Sequence, residues 1–161
     1  MEKIALLVDV QNIYYTTRQA FSRQFNYRAF WSTVTEGREL VSACAYAIES
    51  RDGGKQAGFQ QILRGIGFEV KVKPYIQRSD GSAKGDWDVG IVLDMIEVAE
   101  KVDTVVLASG DGDFDLALKR IKERFNAQSE VYGVERLTAG SLIRAATKYI
   151  PIEEELLMPE H

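Results

Sequence analysis

Two apolar runs of this chain break off at aspartates, and that pattern narrows the folds open to it more than any other feature. Val105-Val106-Leu107-Ala108 stops at Ser109-Gly110-Asp111-Gly112-Asp113, and a helical pattern then starts at Phe114 and runs through Leu116, Ala117, Leu118 and Ile121. Near the amino terminus, Ile4-Ala5-Leu6-Leu7-Val8 stops at Asp9, and a second helical pattern spans Ile13 to Phe21. Short apolar runs without alternation read as strands buried on both faces, the habit of parallel sheets covered by helices. In open sheets of that kind the crevice for chemistry lies outside the carboxyl ends of the strands. Asp9, Asp111 and Asp113 fall there.

The rest of the chain supplies elements for such a sheet. Asn26 is placed to cap a helix from Tyr27 to Val34, Leu40 to Ile48 reads as a strand, and Ser50 to Gly54 as a polar loop. Gln56 to Ile66 predicts a helix closed by Gly67. Phe68 to Lys73 alternates apolar and charged residues, which predicts a half-exposed edge strand. Ile76 to Gly85 is the one long irregular segment, a length that favours a functional loop. After Asp86-Trp87-Asp88, the run from Val89 to Ala99 predicts a helix buried on most faces. Ser129 to Val134 is a further strand, and Ser141 to Tyr149 a last helix stopped by Pro151. The alternation predicts one three-layer α/β/α sandwich with a mainly parallel sheet over residues 1–152, followed by an acidic tail, 153–161.

Composition removes several chemistries. The single histidine is His161, so Ser-His-Asp, Cys-His and His-rich zinc sites are ruled out, and the single cysteine, Cys44, sits in an apolar run as a core residue. No intrachain disulfide can form, which fits a reducing compartment and an expected cytoplasmic location. The first apolar run is too short for a signal peptide or a membrane span. A net charge of −4 gives no overall positive field to gather nucleic acid. An enzyme whose cation neutralises its own carboxylates is not excluded by that.

Three places along the chain bring aspartates to strand ends or helix starts: Asp9, Asp86 with Asp88, and Asp111 with Asp113. Gathered at one site, these charges repel and shift toward the neutral form unless a cation binds. A donor set of oxygens alone suits Mg²⁺ or Mn²⁺. Lys84 and the backbone amides of Gly110 and Gly112 are placed to hold a phosphate. Each aspartate also has a plainer use: Asp9 or Asn12 can cap the first helix, and Asp113 the helix from Phe114. Asp94, inside an apolar helix, needs a partner and reads as a hydrogen-bonded structural group. Trp87 reads as a packing residue.

Leu6-Leu7-Val8-Asp9-Val10-Gln11-Asn12, Lys84-Gly85-Asp86-Trp87-Asp88-Val89 and Ser109-Gly110-Asp111-Gly112-Asp113-Phe114 resemble, in order and spacing, the three signatures of the NYN domain. Within that family they resemble its LabA-like bacterial branch, part of the PIN-like nuclease superfamily. The resemblance spans Lys3 to about Tyr149. It implies a PIN-like α/β/α fold and metal-dependent cleavage of RNA. Asp9 matches the first-strand aspartate, Asn12 its companion, and Asp111 and Asp113 the Ser-Gly-Asp-x-Asp-Phe signature. Asp88 matches the aspartate of the Lys-Gly-x-Asp-Val signature, with Asp94 as a second helix aspartate. Two residues rather than one separate Lys-Gly from Asp-Val here, so Asp86 competes with Asp88 for the cation.

The roles expected from this likeness are distinct. Asp9, Asp88 and Asp111 would hold Mg²⁺ or Mn²⁺, Asp86 and Asp113 would ligate it or orient water, and Asn12, Lys84 and Ser109 would meet the substrate. Single-stranded RNA is the expected partner, and Tyr14, Tyr15 and Tyr75, near Arg18 and Arg78, could stack on its bases or serve ordinary packing. Association into a homodimer is left open. The competing expectation is a non-catalytic module that binds RNA or protein, since the LabA-like branch is associated with regulation of gene expression.

Overall fold

The apolar runs form the centre of a six-stranded parallel sheet with helices on both faces, as the strand–helix alternation predicts. The computed structural model describes residues 1–49, 54–74, 76–77, 83–84 and 86–160, with side chains omitted for 54–56, 76–77 and 83–84. The strands are β1 (Lys3–Asp9), β2 (Glu39–Ile48), β3 (Glu69–Lys73), a small antiparallel pair β4 (Ile76–Gln77) and β5 (Ala83–Lys84), then β6 (Thr104–Ala108), β7 (Gln128–Gly133) and β8 (Lys148–Pro151). The helices are α1 (Val10–Phe21), α2 (Tyr27–Thr35), α3 (Gly54–Ile66), α4 (Asp88–Ala99), α5 (Asp115–Phe125) and α6 (Gly140–Ala145). Sheet order is β3-β2-β1-β6-β7-β8, every pairing parallel.

Residue alternation along β1 divides the core. Ile4, Leu6 and Val8 face one cluster with Ile13 of α1 and Phe30 and Val34 of α2, and Leu63 of α3. Ala5 and Leu7 face the other, with Ile91 and Met95 of α4 and Leu118 and Ile121 of α5. With a period of two, Asp9 continues the Ala5 and Leu7 face, toward α4 and α5. The chain turns one way from β1 to β2 and the other way from β6 to β7. The carboxyl ends of adjacent β1 and β6 are therefore the point where the winding reverses and a crevice opens.

Five details differ from the sequence reading. Helix α1 begins at Val10, directly after Asp9, because the Asp9 side chain caps it. The segment 76–85 is not wholly irregular, since Ile76–Gln77 pairs with Ala83–Lys84, and the remainder of that loop lies outside the described residues, as do Tyr75, Arg78 and most of Ser50–Gly54. Helix α4 is buried on one side only: Ile91, Met95 and Ala99 face the core, while Val89 and Leu93 are 70% and 62% exposed. The last helix ends at Ala145, and residues 148–151 form β8, where Tyr149 and Ile150 suit a strand. Ser129 and Thr147 lock that start reciprocally, each backbone N–H donating to the other's hydroxyl at 3.0 and 3.1 Å.

The fifth is the carboxyl-terminal stretch, which composition reads as an acidic tail. It packs on the body. Leu156 and Leu157 are buried, Leu157 bridges to Phe25, and Asn26 N–H donates to the Leu156 carbonyl at 2.8 Å. Glu154 pairs with Arg23 at 2.6 Å. Glu153 to Glu155 thus lie by the α1–α2 connection.

Candidate metal centre

Asp9, the last residue of β1, is placed by both neighbours. Its Oδ1 accepts the Asn12 backbone N–H at 3.4 Å as the N-cap of α1, and its Oδ2 accepts the Ser109 hydroxyl at 3.1 Å. Capping and site membership are therefore compatible. Ser109, just past β6, is fully buried, and its Oγ also accepts the Asp111 N–H at 3.1 Å. Its hydroxyl links the Asp9 carboxylate to the Asp111 backbone, which suits Ser109 to positioning the two residues.

The turn after β6 is shaped by hydrogen bonds from outside it. Gly110 N–H donates to Asn12 Oδ1 at 2.8 Å, tying the first turn of α1 to the β6 corner. That bond spends the Gly110 amide, which the sequence offers as a phosphate contact, and also the Asn12 oxygen. A Cβ on Gly110 would stand 2.9 Å from the Leu137 carbonyl, so only glycine lets this corner pack against the strand-to-α6 connection. Asp111 Oδ1 accepts the Asp113 N–H at 2.9 Å, capping a short 3₁₀ turn over Gly112–Phe114. Asp111, and not Asp113, is the capping residue here. Asp113 is exposed.

Asp88, the first residue of α4, comes from the opposite side of the crevice. Trp87 pins that helix start: its Nε1–H donates to the Ala47 carbonyl at 2.8 Å and its ring lies 5.4 Å from Tyr46. The packing role read for Trp87 is what these contacts describe. Asp86 is exposed and its Oδ1 accepts the Asp88 N–H at 3.2 Å. Lys84 lies on β5 with its side chain outside the description.

Asp9, Asp88 and Asp111 each bring a carboxylate oxygen to within 4.8 Å of the other two. That trio contains neither Asp86 nor Asp113. The electrostatics favour cation binding. Burial pushes the Asp9 carboxyl up to about 6, with further repulsion from Asp111 and Asp86. Burial, the Asp111 charge and a hydrogen bond with Asp111 push Asp88 up to about 7. Three hard oxygens, each partly withdrawn from water and mutually repelling, are a donor set for a divalent hard cation and poor ligands for a soft one.

Asp94 lies elsewhere on α4. Its Oδ2 accepts the Tyr46 hydroxyl at 2.8 Å and pairs with Lys71 Nζ at 2.7 Å. It is the hydrogen-bonded structural group the sequence suggests. The sequence reading did not single out Tyr46 or Lys71. The signal for Lys71 was present in the alternation of β3, which points it to the α4 side.

Comparison with known proteins agrees with this architecture. A Vibrio parahaemolyticus protein of unknown function, known from its crystal structure, is 58% identical, with a TM-score of 0.92 over 98% of this chain and 96% of its own. The Acinetobacter baumannii MurG structure, at 11% identity, TM-score 0.50 and 44% of its own length, shares the fold alone. The low amplitude and bright protein LabA of Synechococcus elongatus is 28% identical over 163 aligned positions, covering 94% of this chain and 84% of its own. Residues 3–153 match the profile of the NYN domain, a span that holds β1, α4, β6 and all three clustered aspartates. The chain belongs to the NYN domain family.

Proposed function

We propose that this protein is a Mg²⁺- or Mn²⁺-dependent ribonuclease that hydrolyses phosphodiester bonds of single-stranded RNA. The observation that carries the reading is the convergence of Asp9, Asp88 and Asp111 from three separate segments at the reversal point of the sheet. Family membership supports it, because the NYN domain lies within the PIN-like nucleases. A bound divalent cation supplies Lewis-acid charge at the phosphate and lowers the pKa of a bound water.

The chain's own residues do the rest. Asp9, Asp88 and Asp111 would hold the cation, and Ser109 ties the Asp9 carboxylate to the Asp111 backbone. Asn12 keeps the β6 corner against α1 through its oxygen, leaving its amide N–H groups as donors for a substrate oxygen. Exposed Asp113 and Asp86 flank the trio and are suited to orienting water. Lys84 is assigned to the substrate phosphate.

The test is cleavage of a labelled single-stranded RNA with Mn²⁺ or Mg²⁺ against EDTA, for the native chain and for Asp9→Asn and Asp111→Asn. Cleavage that needs metal and disappears in both variants is expected. Cleavage that persists unchanged in both refutes the assignment. Calorimetric titration with Mn²⁺ separates the competing reading: no binding at millimolar metal points to a module that binds RNA or protein without cutting.

A further inference from the structure

We infer that the outer face of α1 is a base-stacking platform for the RNA strand leaving the cleavage site, with Tyr14 and Tyr15 as the stacking surfaces and Arg18 as their cationic partner. This rests on the ribonuclease reading above. Helix α1 buries Val10, Ile13 and Thr17 and turns Tyr14 and Tyr15 outward, 43% and 59% exposed. Two adjacent tyrosines in water forfeit the burial that normally rewards aromatic rings. They pack edge to face on each other, with centroids 5.5 Å apart.

Arg18, one turn beyond Tyr14, holds that arrangement. Its guanidinium lies 5.7 Å from the Tyr14 ring centre and donates to the Tyr14 hydroxyl. Arginine and tyrosine faces are the two surfaces on which unpaired bases stack in single-strand binders. Tyr14, Tyr15, Arg18 and Gln19 line an open depression of about 440 Å³. Its lining offers two tyrosine rings, one cation and no carboxylate.

The occupant follows from continuity with the candidate site. Asp9 is the N-cap of this same helix. At a helical rise of about 1.5 Å per residue, the tyrosines stand about 8–9 Å along the axis from Asp9, and Arg18 about 14 Å. A strand whose phosphate sits at the aspartate trio reaches them within a few nucleotides. The chain carries a net charge of −4, so attraction to RNA must come from local features of this kind and not from a general field. Stacking also predicts a weak dependence on salt, because one arginine neutralises few phosphates.

Fluorescence anisotropy of a short labelled single-stranded RNA tests this, in EDTA and in the Asp111→Asn background so that nothing is cut. Tyr14→Ala combined with Tyr15→Ala is expected to weaken binding by about five- to a hundredfold, the range for losing a base–aromatic stack. Tyr15→Phe is expected to bind like the parent, and an abasic strand is expected to bind the parent as poorly as the double variant binds the ordinary strand. Equal binding by parent and double variant, or no binding by the parent, overturns the platform whatever a cleavage assay gives. Tyrosine-dependent binding without any metal-dependent cleavage by the native chain leaves the platform standing and overturns the nuclease reading.

Discussion

Replacing Asp9 with Asn should make the metal-free protein more stable at neutral pH while abolishing its response to metal. The native carboxyl is buried, and its pKa rises from 3.8 to about 6. A raised folded-state pKa means that the native state holds the proton more tightly than the unfolded chain. Stability is then greatest below pH 3.8 and is lost as pH rises through 6. At roughly 1.4 kcal/mol per pH unit the full loss is about 3 kcal/mol, of which about 2 kcal/mol falls between pH 4.5 and 7.5. Asn carries no charge, keeps an oxygen for the Asn12 N–H, and can turn its amide toward Ser109 Oγ. It also lifts the Asp9 charge from Asp88, which acts in the same direction. The assay is urea denaturation of both proteins in EDTA at the two pH values. The variant should gain about 1–2 kcal/mol over the native chain at pH 7.5, and that advantage should vanish or reverse at pH 4.5. Adding Mn²⁺ should raise the native midpoint and leave the variant's unmoved. A variant less stable at pH 7.5, or an offset that does not change with pH, refutes the account of Asp9 as a strained carboxylate awaiting a cation.

Asp113→Asn should leave the Mn²⁺ affinity by calorimetry within a few-fold of native, because Asp113 is exposed and outside the trio; a loss comparable to Asp111→Asn would place it among the ligands. Trp87→Phe removes the hydrogen bond to Ala47, and should cost about 1 kcal/mol by thermal denaturation and lower the Mn²⁺ affinity by loosening Asp88. Unchanged affinity would show that the helix start is held by other contacts. Leu156→Ala should cost about 2–4 kcal/mol in urea, since the residue is 5% exposed against the α2 start. A cost below 1 kcal/mol would mean that the carboxyl-terminal stretch is a loose appendage after all.

What the sequence revealed and what it hid divide along physical lines. Strands β1 and β6 were legible because a strand buried on both faces is apolar along its centre, and each run stops at a polar turn, at Asp9 for β1 and at Ser109-Gly110-Asp111 for β6. Asn26 was legible as a cap because its side-chain oxygen accepts the Ala29 N–H three residues ahead, a purely local bond. Strand β8 was not, because Leu142, Ile143, Ala145 and Ala146 carry the helical period up to the point where a distant partner takes over. The reciprocal Ser129–Thr147 bonds that start β8 span 18 residues. The buried tail failed for the same reason: Glu153 to Glu155 look like solvated charge, while the leucines beyond them answer to Phe25 and Asn26, more than a hundred residues earlier.

The site shows the same division at finer grain. Residue type could nominate five aspartates, but only the sheet's reversal point could choose among them, since it decides which strand ends meet. Asp88, and not Asp86, joins the trio as the first residue of α4, and Trp87 beside it anchors that helix start through its bond to Ala47. Ser109, expected at the substrate, has its hydroxyl bonded to the Asp9 carboxylate and to the Asp111 N–H, an arrangement that depends on its complete burial and cannot be read from its neighbours in sequence. The Ser-Gly-Asp-x-Asp-Phe corner therefore works as a unit. Its serine aligns the first-strand aspartate, its glycine admits the neighbouring loop, and its first aspartate caps the turn and belongs to the acidic trio. Its second aspartate, Asp113, is exposed and gives its backbone N–H to that cap.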